Sequence, residues 1–479
     1  MRLFVFTLLL CCVNVAFGQE EGYHIEIQLD GYENDTLFLA YYHGDKQYMQ
    51  DTTYRKGGRF IFSGEDPLDP GMYIVVRNSE RTFFQLLIDY DEMHFSLQAD
   101  NDEVAKTVRL RGAPQNEAFY EYMGFLQDQR KMGDEVREQL EGADEKEKDE
   151  IEAKLKKMDK AVKSYQLELM ETFDGDLLGA IIRANMEPEV PDFEGPEEEV
   201  RQKRFKYYKT HFFDNVDLTD KRLLRSPILY NKVNQYIDQL TSKNPDSIAR
   251  SIDYVLEQME GNKTVYRFFL ANFLNNYARS KIIGMDAVYV HLTDKYYSTG
   301  KAWWIGEEQL EKIVENADKI RPTLIGKIAP NITLEKRNGE RVQLHHLDYE
   351  YTLLYFWRPD CGHCKRYTPL IVKFLEENKD KGIGVVTVCT KFTDDVPGCW
   401  DYLDNTEGTD LFLNLVDPFH RSRFTQHFNV KTTPLIYVLD RDKKILSKRL
   451  SAQQLPEVMP MLMGGEDSAG QFSDTDSGE

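Results

Sequence analysis

Tyr351-Thr-Leu-Leu-Tyr-Phe-Trp-Arg-Pro-Asp-Cys-Gly-His-Cys-Lys365 is the stretch on which the reading of this chain turns. Tyr351–Trp357 is a run of apolar and β-favouring residues and predicts a buried strand. Arg358-Pro-Asp360 ends it, and Cys361-Gly-His-Cys364 then opens a helix. At a helix N-terminus the unpaired backbone N–H groups and the macrodipole favour a thiolate over a thiol. Cys361 is therefore the expected nucleophile. Cys364, one turn on, is placed to attack a mixed disulfide formed at Cys361 and release the partner. His363 is expected to add a positive or hydrogen-bonding group beside the sulfur.

The same spacing also makes half a zinc site, and a structural zinc needs four ligands. Beyond the N-terminal segment the other cysteines are Cys389 and Cys399, whose spacing fits no common second knuckle. A strand feeding the dithiol into a helix favours redox chemistry, with no metal and no organic cofactor beyond the dithiol itself.

Working outward, the chain has 479 residues, enough for about three domains. Residues 1–18 combine Arg2, the apolar Leu3–Val15 and the small-residue end Ala16-Phe-Gly18, the pattern of a cleaved secretory signal. Export to the periplasm or cell envelope follows, with cleavage near Gly18. Leu10 and Cys11 stand where a lipid-modified cysteine wants a small neighbour, which disfavours a lipid anchor. No later segment approaches the apolar length of a membrane span. The formal net charge of −21 argues against nucleic acid and anionic membranes as partners.

Residues 22–112 alternate short strands (Tyr23–Leu29, Thr36–Tyr42, Arg59–Ser63, Met72–Val76, Phe83–Ile88, Met93–Leu97) with turns at Gly44-Asp45, Gly57-Gly58 and Asp69-Pro-Gly71. This predicts an all-β sandwich. Residues 116–320 read as all-α. Phe119, Tyr122, Met123 and Leu126 share one helical face, and Ile151, Leu155, Met158, Val162, Tyr165 and Leu169 share another, with Glu141–Lys148 as the solvated tip of the hairpin.

After the Pro-rich acidic loop Glu187–Pro196, helices are expected at Ile228–Leu240, Ser247–Met259, Thr264–Tyr277, Asp286–Tyr297 and Glu307–Ala317. Phe268, Phe269, Phe273 and the pair Trp303-Trp304 are expected to be buried among them. Residues 325–463 turn to α/β, and the acidic tail 464–479 is expected to be disordered. Cys389 ends an apolar strand and reads as a core cysteine. Cys399 follows Pro397-Gly398 in a loop, and pairing of the two stays open.

Phe356-Trp357, Cys361-Gly-His-Cys-Lys365, Pro369 and Thr433-Pro434 together resemble the thioredoxin superfamily. Ile328-Ala-Pro-Asn-Ile-Thr-Leu334 with Asn338-Gly339 resembles more closely its exported TlpA and ResA branch, and the layout resembles the large multidomain thiol-disulfide oxidoreductases of Bacteroidota-type bacteria. The resemblance implies a C-terminal thioredoxin-like domain with a redox-active disulfide between Cys361 and Cys364. It also implies a cis Thr433–Pro434 bond beside the dithiol, with Trp357, Thr433 and Pro434 contacting substrate. The expected partners are protein thiols and disulfides and an upstream redox donor or acceptor.

The chain departs from the family at Tyr355 and Tyr367, where carboxylates are usual, which leaves Asp360 as a candidate for proton delivery or simply a helix cap. Cys-Gly-His-Cys hints at an oxidising couple, whereas the branch consists mainly of reductases, so reductase and isomerase both stand. The rival reading is a cell-envelope binding or redox-sensing protein whose dithiol does not turn over.

Overall fold

The computed structural model describes residues 22–77 and 82–464, so the expected signal segment and nearly all of the acidic tail lie outside the described residues. The chain packs as two units, one ending at Val233 and one beginning at Asn234.

Among the described residues of the first unit, eight strands form two four-stranded sheets: β1 (Tyr23–Asp30), β2 (Thr36–His43), β3 (Lys46–Tyr54), β4 (Phe60–Gly64), β5 (Gly71–Val76), β6 (Phe83–Ile88), β7 (His94–Asp100) and β8 (Arg109–Arg111). Their orders are β4-β1-β7-β8 and β3-β2-β5-β6. Alternation puts Ile25, Ile27, Leu37, Leu39, Phe60 and Phe62 inside, all fully buried. β3 was not expected, because as an edge strand it buries almost nothing and carries no apolar alternation.

The helix Pro114–Glu138 is fixed to these sheets through buried Glu92, which accepts from the backbone of Gln115 (2.9 Å) and Asn116 (3.1 Å) and from Asn116 Nδ2 (2.7 Å). Burial pushes the Glu92 carboxyl up, against these three donors. Its partner helix Glu145–Thr172 opens on a capping box between Asp144 and Glu147, so the charged tip is already half helix. Of the six residues on its expected apolar face, only Ile151 and Leu169 are fully buried. Leu177–Asn185 and Glu197–Thr210 are helices that periodicity did not announce, and the second buries no residue at all.

In the second unit the helices Pro245–Gln258, Lys263–Ala278, Asp286–Leu292 and Glu307–Ile320 form close to their expected places, with Thr293–Tyr297 continuing as a π turn. Phe269 and Phe273 are buried, but Phe268 is only half-buried. Trp303 is half exposed, its ring stacked near-parallel to that of Tyr266 and Lys263 Nζ 5.7 Å from its centre, so the Trp pair is not buried between helices as expected.

The C-terminal sheet has seven strands: β9 (Thr333–Glu335), β10 (Arg341–Gln343), β11 (Tyr351–Trp357), β12 (Ile383–Cys389), β13 (Leu413–Val416), β14 (Leu435–Asp440) and β15 (Ile445–Lys448). Their order is β10-β9-β13-β12-β11-β14-β15, with β11, β12 and β13 parallel and β14 antiparallel to β11. Central β11 is buried on both faces, as its continuous apolar run requires. Lys448 on β15 is buried and gives Nζ to Asp286 Oδ2 (2.5 Å) and to the Thr323 carbonyl (2.7 Å), which ties the helices of this unit to the edge of the sheet.

Candidate functional site

Strand periodicity sorts β11 onto two cores. Leu354 and Phe356 face one, while Leu353, Tyr355 and Trp357 face the other together with both dithiol cysteines. The helix Gly362–Glu377 begins where β11 ends, and Cys361 itself is its N-cap. The Cys361 Sγ accepts the backbone N–H of Cys364 at 3.2 Å and lies 3.3 Å from the Thr433 carbonyl. Asp360 is not the cap: its side chain pairs with Lys391 (3.1 Å) and Arg358 (3.5 Å).

The two free thiols divide in burial and in charge. Cys364 is wholly buried, and Cys361 keeps 7% exposure. Burial, joined by hydrogen bonding to Cys361, pushes the Cys364 thiol up to about 12. Burial also acts to raise Cys361, but hydrogen bonds from Cys364, from the Thr433 side chain and from the His363 backbone outweigh it and hold the thiol below its ordinary value. Burial likewise works on Asp360, yet the Lys391 ammonium keeps its carboxyl below the usual range. It stays ionised, which leaves it no proton to deliver at neutral pH.

His363 is exposed, and its Nδ1 accepts from Arg366 Nη2 at 2.9 Å. The contribution of His363 to Cys361 is thus its backbone N–H; the ring is held by Arg366. Trp357, expected at the substrate surface, is 2% exposed, with its ring centroid 5.1 Å from that of Tyr402. A side chain facing inward from a doubly covered strand cannot meet a partner. Its Nε1 has no hydrogen-bond partner among the described residues. Thr433 and Pro434 are half-buried beside the dithiol, and the bond between them is cis.

Two features were not settled by the sequence. Cys389 and Cys399 form a disulfide, with Cα atoms 6.3 Å apart, and Cys399 lies in the first turn of a helix, Pro397–Asp404, rather than in a loop. Strand pairing sets Cys389 directly beside Trp357. The second feature is the Tyr355 hydroxyl, which donates to the Cys364 carbonyl at 3.3 Å, as does Thr368 Oγ1 at 3.0 Å. The period-two link between Tyr355 and Trp357 was the available signal. Among the described residues, no group of three or more His, Cys, Asp or Glu is placed to hold a metal ion.

Three segments of the chain match family models. Residues 324–458 match the family model described as Redoxin, residues 23–119 match Domain of unknown function (DUF4369), and residues 140–323 match Domain of unknown function (DUF5106). A thioredoxin-like protein of Haemophilus influenzae is 29% identical over 127 residues, 26% of this chain and 71% of that protein. Thiol-disulfide oxidoreductase ResA of Bacillus subtilis is 35% identical over 63 residues, 13% of this chain and 35% of its own length. Among solved structures, a thioredoxin-like protein from Bacteroides caccae matches with TM-score 0.44 and 18% identity, over 58% of this chain and 98% of that one.

Proposed function

We propose that this chain, whose C-terminal domain is a redoxin-family domain of the thiol-disulfide oxidoreductase kind, exchanges disulfides with protein partners through Cys361 and Cys364. The observation that carries the reading is the N-cap position of Cys361, with its sulfur on the Cys364 N–H and its thiol held below the ordinary value while Cys364 is raised.

In the reducing direction, the Cys361 thiolate attacks one sulfur of a partner disulfide, so one S–S bond breaks as the mixed disulfide forms and a partner thiolate leaves. Cys364 then loses its proton and attacks the Cys361 sulfur, closing the Cys361–Cys364 disulfide and releasing the second partner thiolate. Two protons end on the partner, which gains two electrons, and the dithiol loses two. Thr433 and Pro434 flank the sulfur and orient the partner chain. Isomerisation uses the same first step, followed by attack from another partner thiol.

Residues 22–112, 116–320 and 325–463 are proposed as the β, helical and redox domains. Export is proposed from residues 1–18, and the Cys389–Cys399 disulfide supports it, because such bonds persist in oxidising compartments. No helix among the described residues is long and apolar enough to cross a membrane.

The test is Cys364→Ser in the full chain. A nucleophile without its resolving thiol accumulates mixed disulfides with partner proteins, visible on non-reducing gels and lost on adding dithiothreitol. Accumulation in Cys361→Ser instead would reverse the two roles.

A further inference from the structure

We infer that the partner polypeptide bears carboxylates next to its reactive disulfide, because the rim around Cys361 is basic in a chain that is otherwise strongly acidic. The inference rests on the proposed dithiol exchange and narrows its substrate. β11, β12 and β13 run parallel, so the segments that follow them gather at one end of the sheet, where antiparallel β14 begins after Thr433-Pro434. Links across this end are direct: Cys361 Sγ approaches the Thr433 carbonyl, Lys391 reaches Asp360, and the Thr393 N–H donates to the Pro418 carbonyl at 3.0 Å.

Residues 358–366, 390–396 and 417–433 together hold seven Lys and Arg against four Asp, whereas the whole chain carries 60 Lys and Arg against 81 Asp and Glu. Three of those four acids are already engaged. Asp360 pairs with Lys391 and Arg358, and Asp395 with Lys391. Asp417 is buried, accepting from the backbones of Arg421 and Ser422 and from the Ser422 hydroxyl. By contrast Lys365, Arg366, Arg423 and Lys431 are exposed, and among the described residues no carboxylate pairs with them. Lys365 and Arg366 belong to the helix that Cys361 caps, and Lys431 stands two residues before Thr433.

A cluster of one sign within a screening length of about 10 Å steers oppositely charged partners and repels like ones. Exposed Phe419, with the Arg421 guanidinium 4.9 Å from its ring centre, adds apolar surface next to Pro418, whose carbonyl the Thr393 N–H holds.

The probes are two peptides with one intramolecular disulfide each and the same sequence, except that Asp and Glu flank the cysteines in one and Lys and Arg in the other. Hydroxyethyl disulfide serves as a neutral reference. With the reduced full-length chain at low ionic strength, the acidic peptide should react about tenfold faster than the basic one, relative to that reference, and the ratio should shrink as salt rises. Lys365→Glu combined with Lys431→Glu should abolish or invert the ratio. Equal rates for the two peptides, or a preference for the basic one, with hydroxyethyl disulfide still reduced, overturn the acidic-partner inference alone. Failure to reduce hydroxyethyl disulfide overturns the dithiol reading and this inference with it.

Discussion

The ends of β11 and β12 lie side by side, and each carries a cysteine pair: Cys361 and Cys364 follow the first, while Cys389 is the last residue of the second and Cys399 follows it. All four sulfurs belong to one hydrophobic core. At the end of β11 the first cysteine caps a helix, keeps some exposure and has its charge supported by N–H donors. At the end of β12 both partners are buried, at 1% and 0% exposure, and already joined. The two pairs share a neighbourhood and differ in oxidation state, in access and in the N-cap position that Cys361 alone of the four holds, so reactivity in this domain follows the free, partly accessible thiol whose charge the N–H donors support.

The largest effect expected from this contrast is in Cys361→Ser. Exchange with any disulfide should fall by at least about a thousandfold, because among the described residues no other sulfur combines access with a stabilised thiolate. Single-turnover reduction of hydroxyethyl disulfide measures it. Appreciable residual exchange would mean that the buried pair takes part, and the contrast would break.

Next in size is the asymmetry inside the dithiol. Hydrogen bonding holds the Cys361 thiol below its ordinary value while burial pushes Cys364 up to about 12, so at neutral pH Cys361 carries most of the thiolate. The stronger intrinsic nucleophilicity of the higher-pKa thiol returns part of this, and the selectivity for Cys361 should still be at least about tenfold. The sign is fixed by the shifts. Labelling of Cys361 by iodoacetamide should rise with pH and level off at a lower pH than labelling of Cys364, which should still be rising where Cys361 is saturated. Mass spectrometry after timed quenching checks both, and parallel labelling of the two cysteines would count against the division of roles.

Removing the second pair sharpens the comparison from the other side. Cys389→Ala with Cys399→Ala deletes a cross-link over a sequence separation of 10, worth about 2–3 kcal/mol by loop closure. The urea midpoint of the C-terminal transition should drop accordingly, whereas exchange by Cys361 should change by less than about tenfold. A folded double variant that no longer exchanges would assign the buried pair a part in electron transfer.

What could be read in advance follows the same physics. The run Tyr351–Trp357 and the spacing of Cys361 and Cys364 were legible because burial and chemistry coincide in contiguous residues. The disulfide was not, since Cys399 sits on a short helix opened by Pro397 and Gly398, residues that usually mark a turn. Strand β3 and the helix Glu197–Thr210 bury too little to leave a period. Trp357 was misplaced because an aromatic near a dithiol suggests a surface, while the same residue closes a strand covered on both faces. The sequence marked Tyr355 as a departure from the family without indicating what its hydroxyl touches.

That hydroxyl sets the smallest test. Tyr355 is fully buried, its OH donates to the Cys364 carbonyl, and burial holds its proton far above the ordinary phenol range. Where the family commonly has a titrating carboxylate, this chain has a group that stays neutral throughout the working range. The wild-type pH profile of exchange should then show the ionisation of Cys361 alone. Tyr355→Phe keeps the ring and loses the hydroxyl's hydrogen bonding to the Cys364 carbonyl and to Thr368, so stability should fall by about 1 kcal/mol. Exchange should slow two- to threefold, by about the amount that loosening one contact to the Cys364 turn allows, and the shape of the profile should not change. Tyr355→Asp should instead introduce a second ionisation, since a buried carboxyl is pushed upward by desolvation and by the nearby thiolates. Rates between pH 5 and 9 for the three proteins decide the matter. Loss of an ionisation step in Tyr355→Phe would show that the phenol transfers a proton during resolution, and its role would then be chemical rather than positional.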